Sequence, residues 1–307
     1  MSENNKGPLL LEGRPVTTSI YNYIRAGVGE LKQKGFEAGL ALVIVGSFPA
    51  SEQYFQTTAN IARRLSIRDF LYRLPETASM NEVLFLINQL NRDERVNGIL
   101  VFLPLPNHID QRIVLNAVSP EKDVDGLGAI SIGRLAAEES TGQLFKKNNA
   151  DYEGGHASFL PCTPYGVIKL LDHYGIEMKG KDVVIIGKSL TVGKSLALMA
   201  LAKQATVTVC HKETKALAEK TRTADILCVA AGRPGLIKAD MVKEGVIAID
   251  IGINNLPDGK FVGDVDFEET SKKASAITPV PGGVGPVTIA ILLKNTVTSA
   301  KRMLKKL

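Results

Sequence analysis

The segment Gly187-Lys188-Ser189-Leu190-Thr191-Val192-Gly193 closes the apolar run Val183 to Ile186, which follows Asp182, and opens the helical stretch Ser195 to Leu201. Strand, glycine turn and helix in this order make a phosphate site. Glycine lets the backbone turn sharply and lets a pyrophosphate approach, and the helix N-terminus offers free N–H groups. The spacing departs from G-x-G-x-x-G because Ser189 stands at the middle glycine, so an ordinary strand-to-helix turn is the alternative reading. A dinucleotide site places its next specificity residue at the end of the following strand, where an acid accepts from an NAD ribose. Here that strand ends His211-Lys212-Glu213, and a further lysine, Lys188, sits in the turn. Two ammonium groups complement a 2′-phosphate, which points to NADP. Glu213 keeps NAD open, and solvated surface charge is the bland alternative for either lysine.

These residues need a scaffold, and the hydrophobic pattern supplies one. Gly39 to Gly46 is continuously apolar, as suits a parallel strand buried on both faces. Strands at Ile67–Leu74 and Gly98–Leu103 alternate with helices at Thr17–Lys34, Ala50–Leu65, Met80–Asp93 and Ile109–Val118, and Leu9 to Leu11 is a short strand or packing segment. The second half repeats the rhythm. Helices at Thr163–Tyr174 and from Ser195 and Thr214 alternate with strands ending at Gly187, Cys210, Val229 and Ile251, and Pro286–Leu304 is a long final helix. Alternation of this kind predicts an α/β protein with parallel sheets. Glu138 to Ser158 is polar and aperiodic, and is expected to be a long surface loop.

At 307 residues, two domains are expected. The net charge of +5 is scattered rather than gathered into a stripe, which argues against nucleic acid and for small anionic partners. Cys162, Cys210 and Cys228 show no disulfide or zinc spacing, and His108, His156 and His173 show no paired ligand spacing, so no metal is expected. A reducing, cytoplasmic setting fits the cysteines, and no apolar run approaches the ~20 residues that span a bilayer.

Further segments carry a resemblance. They are Gly98 to Pro106 (GILVFLPLP), Lys122-Asp123-Val124-Asp125-Gly126, Pro161-Cys162-Thr163-Pro164, Asp250-Ile251-Gly252-Ile253-Asn254, Gly263-Asp264-Val265-Asp266 and Thr278 to Thr288 (TPVPGGVGPVT). In this order the chain resembles the methylenetetrahydrofolate dehydrogenase/cyclohydrolase family from about Leu9 to about Val297. The resemblance implies two lobes: 1–157 with 286–307 as a folate-binding α/β lobe, and 158–285 as a Rossmann-like NAD(P) lobe, the last helix returning to the first lobe. It also implies a homodimer acting on a tetrahydrofolate substrate. Tyr54 matches the active-site tyrosine and Asp125 the aspartate that holds the pterin ring. Pro281, Gly282 and Gly283 match the segment that lets backbone approach substrate. Thr163, Gly187, Lys188, Ser189, Thr191, Lys212, Ile253 and Thr288 match dinucleotide positions, and Gly193, His211 and Gly232 join the same site.

The departures bear on chemistry. Thr58 occupies the place of the family's catalytic lysine, one helical turn after Tyr54, and Phe102 replaces the glutamine that supports that lysine. Leu127-Gly128-Ala129 and Ser131 also differ from the family pattern. Hydride removal from a methylene carbon needs geometry and a nearby nicotinamide but no proton transfer. Hydrolysis of the resulting cation needs protons moved, which threonine cannot do as a general base. Tyr54, with a reference pKa of ~10, orients without titrating. The expectation is an NADP-dependent dehydrogenase whose cyclohydrolase is lost or weak. Beside it stand a dehydrogenase of altered substrate, since Phe102 borders the cleft, and a non-catalytic folate- or dinucleotide-binding regulator.

Overall fold

The computed structural model describes residues 7–137 and 158–306. The expected loop, apart from Ser158, lies outside these residues. In chain order the elements begin β1 (Leu9–Leu10), α1 (Gly13–Gln33), β2 (Gly39–Val45), α2 (Pro49–Arg64), β3 (Arg68–Leu74), α3 (Met80–Arg92), β4 (Gly98–Val101), α4 (Gln111–Ala117) and α5 (Ala129–Ala137). They continue α6 (Cys162–His173), β5 (Asp182–Ile186), a π-turn (Leu190–Lys194), α7 (Ser195–Ala202), β6 (Thr206–Cys210), α8 (Leu217–Arg222) and β7 (Ile226–Val229). The rest are β8 (Ile247–Asp250), β9 (Asn254–Asn255), β10 (Phe261–Val262), α9 (Phe267–Ser271), β11 (Ala276–Ile277) and α10 (Val284–Leu304). The α/β expectation holds, and the chain forms two compact units, one of 18–137, 158–162 and 289–306, the other of 7–17 and 163–288.

The first unit is built on a parallel sheet of order β3-β2-β4. All seven residues of β2 are buried, which is why that strand reads as an uninterrupted apolar run. α3 starts cleanly because Ser79 and Glu82 form a reciprocal capping box. Its inner face (Val83, Ile87, Leu90) packs with Val43, Ile99, Val101, Val114 and Leu127 in one core. The last part of α10 belongs to this unit, as expected of the final helix. Asn295 Nδ2 donates to the Val124 carbonyl at 2.9 Å and Ser299 Oγ to the Glu121 carbonyl at 2.8 Å.

The second unit holds a six-stranded parallel sheet of order β1-β11-β8-β7-β5-β6. β5 lies between β6 and β7: the connection from β5 leads to β6 on one side, and the next one, from β6, crosses back to β7 on the other. Sheets of this class bind ligands outside the carboxyl ends of strands at such a switch point. The expected division assigned 1–157 to the first lobe, but Leu9 and Leu10 pair with Ala276 and Ile277 in this sheet. The Leu9 N–H donates to the Ser275 carbonyl and the Leu11 N–H to the Ile277 carbonyl, each at 2.9 Å. Strands of two residues carry no periodicity, so neither β1 nor β11 announces its partner.

Candidate active site and dinucleotide turn

In the first unit the site residues gather where β4 ends and α2 runs past. Phe102 follows β4 directly, its N–H bonded to the Val43 carbonyl at 2.8 Å. Ser51 Oγ, on α2, donates to the Leu103 carbonyl at 2.8 Å. One turn on, the Tyr54 ring meets Phe102 edge-on, with centroids 5.6 Å apart and planes at 70°. Thr58 is fully buried and its Oγ1 donates to the Tyr54 carbonyl at 2.8 Å. Thr58 thus spends its one proton on its own helix, and Phe102, only 3% exposed, adds no polar group.

Asp125 lies in the turn after Asp123. Burial, then the neighbouring Asp123 carboxylate, pushes the Asp125 carboxyl up to about 7 against the opposing pull of Cys162. The Tyr54 phenol is held well above its ordinary value, first by burial and then by the charge of Asp125. Asp123 was not singled out from sequence, yet it builds this turn. Its carboxylate accepts from the N–H groups of Gly126, Leu127 and Gly128 and from Ser131 Oγ at 2.7 Å. The departures at 127–131 therefore shape a turn around Asp123, with Leu127 in the core. Lys122, in the same motif, is structural. Its ammonium donates to the Leu90 and Asp93 carbonyls at 2.9 and 2.8 Å at the end of α3.

In the second unit the glycine turn sits at the switch point. Gly187 has φ +115°, and a Cβ there would lie 2.3 Å from the Ala230 carbonyl oxygen. A Cβ on Gly193 would lie 1.9 Å from the Gly187 carbonyl oxygen, so both glycines are demanded by close packing. Ser189 caps the π-turn, its Oγ accepting from the Val192 N–H at 3.2 Å and from Thr191 Oγ1 at 3.0 Å. The N–H groups of Leu190 and Thr191 open this turn and have no preceding turn to bond. That is the chemistry a pyrophosphate needs, so the residues present fit a dinucleotide. Lys188 and Lys212 are exposed, and Lys212 lies 3.7 Å from Glu213. The Thr163 and Thr288 hydroxyls are 3.5 Å apart.

The remaining predicted residues have packing roles visible in this unit. Gly282, at φ +118°, offers its carbonyl to the Gly13 N–H at 2.8 Å, and a Cβ on Gly283 would press on Thr278 and Pro279. Pro281 follows a cis peptide bond. Gly232 (φ +64°) belongs to a loop whose N–H groups at Ala231, Gly232 and Arg233 all donate to Asp264. Ile253 is half exposed, and His211 Nδ1 accepts from the Glu213 N–H at 3.3 Å. Among the described residues no cluster of His, Cys, Asp or Glu could hold a metal ion, and no helix is long and apolar enough to cross a membrane.

Residues 11–125 match the family model described as tetrahydrofolate dehydrogenase/cyclohydrolase, catalytic domain, and residues 161–304 match its NAD(P)-binding domain. The chain belongs to the tetrahydrofolate dehydrogenase/cyclohydrolase family. Among family members, the bifunctional protein FolD of Campylobacter jejuni (strain RM1221) is 50% identical over 295 residues, covering 96% of this chain and 99% of that protein. The crystal structure of a Campylobacter jejuni FolD, a methylenetetrahydrofolate dehydrogenase/cyclohydrolase, superposes with TM-score 0.85 at 49% identity, over 95% of this chain and 98% of that one. The Trypanosoma brucei FolD, solved with NADP cofactor and inhibitor, gives TM-score 0.87 at 34% identity, over 98% and 99% of the two chains. The two family matches divide the chain into two parts, the first ending at Asp125 and the second containing the glycine turn.

Proposed function

We propose that this protein oxidises 5,10-methylenetetrahydrofolate to 5,10-methenyltetrahydrofolate with NADP, and that its cyclohydrolase activity is lost or weak. The single observation behind the second half is Thr58, which is fully buried and bonded to the Tyr54 carbonyl where the family resemblance expects a lysine. The first half is supported by the family membership and by the NADP named in the Trypanosoma brucei complex. Bound NADP supplies the hydride acceptor. Tyr54 orients the one-carbon end of the folate, and Asp125 accepts hydrogen bonds from the pterin edge. The N–H groups that open the glycine turn, with Ser189 and Thr191, hold the pyrophosphate, while Lys188 and Lys212 face the 2′-phosphate. Oxidation then needs alignment and no proton transfer from the protein. Hydrolysis does need a proton carrier, and the hydroxyl of Thr58 has neither the pKa nor a free proton for that task.

The protein acts as a homodimer in the cytoplasm under the same proposal, the first assignment resting on the family and the second on its three free cysteines. A spectrophotometric assay with methylenetetrahydrofolate tests the dehydrogenase. Reduced cofactor should form with NADP and form more slowly with NAD, and no turnover with either would end this reading.

A further inference from the structure

The aromatic residue that follows β4 does more than border a cleft. Phe102 touches two rings of α2 at once: the Tyr54 ring edge-on at 5.6 Å, and the Phe55 ring at 5.2 Å with planes at 55°. Phe55 is fully buried, and the Arg73 guanidinium lies over it, 4.4 Å from its centroid. Arg73 is in turn held to α2 by a bidentate pair with Glu52, at 2.5 and 2.7 Å. The register of the whole set is pinned by Ser51, whose hydroxyl bonds the carbonyl of Leu103 beside Phe102. The hydroxyl of Thr58, one turn further along α2, goes to the main chain.

We propose that Phe102 is a positioning residue for Tyr54, an aromatic clamp that sets the angle of the tyrosine ring against folate. The proposal rests on the assignment of Tyr54 to the folate site. An edge-to-face pair favours one relative orientation, because the positive rim of one ring meets the negative face of the other. A side chain without a ring keeps much of the packing but loses that preference. In the clamp, Tyr54 keeps its place as a substrate-orienting group although a lysine–glutamine pair is missing beside it. It also explains why a large apolar residue is accommodated at 102: Phe55 and Arg73 form a stacked backing for it.

The test measures tetrahydrofolate binding by calorimetry, so it does not depend on turnover. Phe102→Leu should weaken binding by about fivefold and Phe102→Tyr should restore it to within about twofold, as an aromatic pair of ordinary strength implies. In a Tyr54→Ala background Phe102→Leu should cost nothing further, because the ring it positions is gone. Ser51→Ala, which keeps every ring and frees only the register, should weaken binding by about twofold, on the scale of one lost hydrogen bond. Wild-type affinity in Phe102→Leu, or losses at 54 and 102 that simply add, would overturn the clamp. If Phe102→Leu does not fold, wild-type affinity in Ser51→Ala overturns it instead. A protein that binds tetrahydrofolate with this pattern yet never reduces NADP would keep the clamp and remove the dehydrogenase assignment.

Discussion

Thr58 Oγ1 donates its proton to the carbonyl oxygen of Tyr54, 2.8 Å away and one helical turn earlier. The bond takes up the hydroxyl of the residue that stands where the family resemblance expects an amine. Buried threonine on a helix settles in this way because its short hydroxyl reaches the backbone and little else.

Thr58→Lys alone places an ammonium at a site with no exposed surface. It should lower the melting temperature by several degrees, since burying an unpaired charge is costly. It should restore little hydrolysis. Thr58→Lys with Phe102→Gln gives the amine a partner and should restore hydrolysis of the methenyl compound about a hundredfold above the single variant, the lower end of the usual range for one acid–base group. Calorimetric melting and a methenyl decay assay read the two effects.

Asp125 should make tetrahydrofolate binding sensitive to pH near neutrality. Its carboxyl, pushed up to about 7 by burial and by Asp123, is protonated below that value and ionised above it. Only the ionised form accepts from every donor on a pterin edge, so tetrahydrofolate affinity should fall as pH drops through 7, and Asp125→Asn should flatten the profile. The effect on stability has the opposite sense. Native Asp125 keeps its proton after the unfolded chain has lost it, so this group favours the fold at low pH, and its contribution declines as pH rises toward 7. Denaturation of wild type and Asp125→Asn at pH 5 and pH 8 separates this contribution.

Much of this was readable before the fold was known. β2, and β5 from Val183 on, are legible because burial on both faces makes a strand apolar. The glycines at 187 and 193 were legible because the turn leaves no room for a side chain. α5 was not, because its start is held from a distance. The Gly128 N–H bonds Asp123 and the Ala129 N–H bonds Asn116, so no local capping signal precedes it. The roles of Asp123 and Lys122 were hidden for a related reason. A K-D-V-D-G motif reads as substrate chemistry, whereas two of its three charged residues, Lys122 and Asp123, bond main-chain groups, and Asp125 alone is proposed to meet the ligand. Phe102 was seen as a departure, but its hold on Tyr54 depends on helix and strand meeting, which spacing does not show.

Cofactor choice is tested at the exposed lysines. Lys188→Ala with Lys212→Ala should raise KM for NADP about tenfold or more and leave KM for NAD within about twofold, because only NADP carries the 2′-phosphate. Added salt should narrow the difference, as it does for exposed charges. Equal losses for both cofactors would place the lysines elsewhere in binding.

Asp264 supports the second unit without touching any ligand in this account. It is fully buried and accepts from three successive N–H groups and from Asn254. Asp264→Asn turns part of that acceptor into a donor facing donors, and should destabilise the fold by about 2–3 kcal/mol, the cost of an unsatisfied buried polar group. Chemical denaturation measures it.

The most direct measurement follows the decay of 5,10-methenyltetrahydrofolate by absorbance, with and without the purified wild-type protein, in a preparation already shown to reduce NADP with methylenetetrahydrofolate. Decay should be no faster than in buffer while the dehydrogenase is active. Clear acceleration by the wild-type chain would contradict it, because hydrolysis would then proceed with Thr58 bonded to Tyr54 and no lysine at that turn.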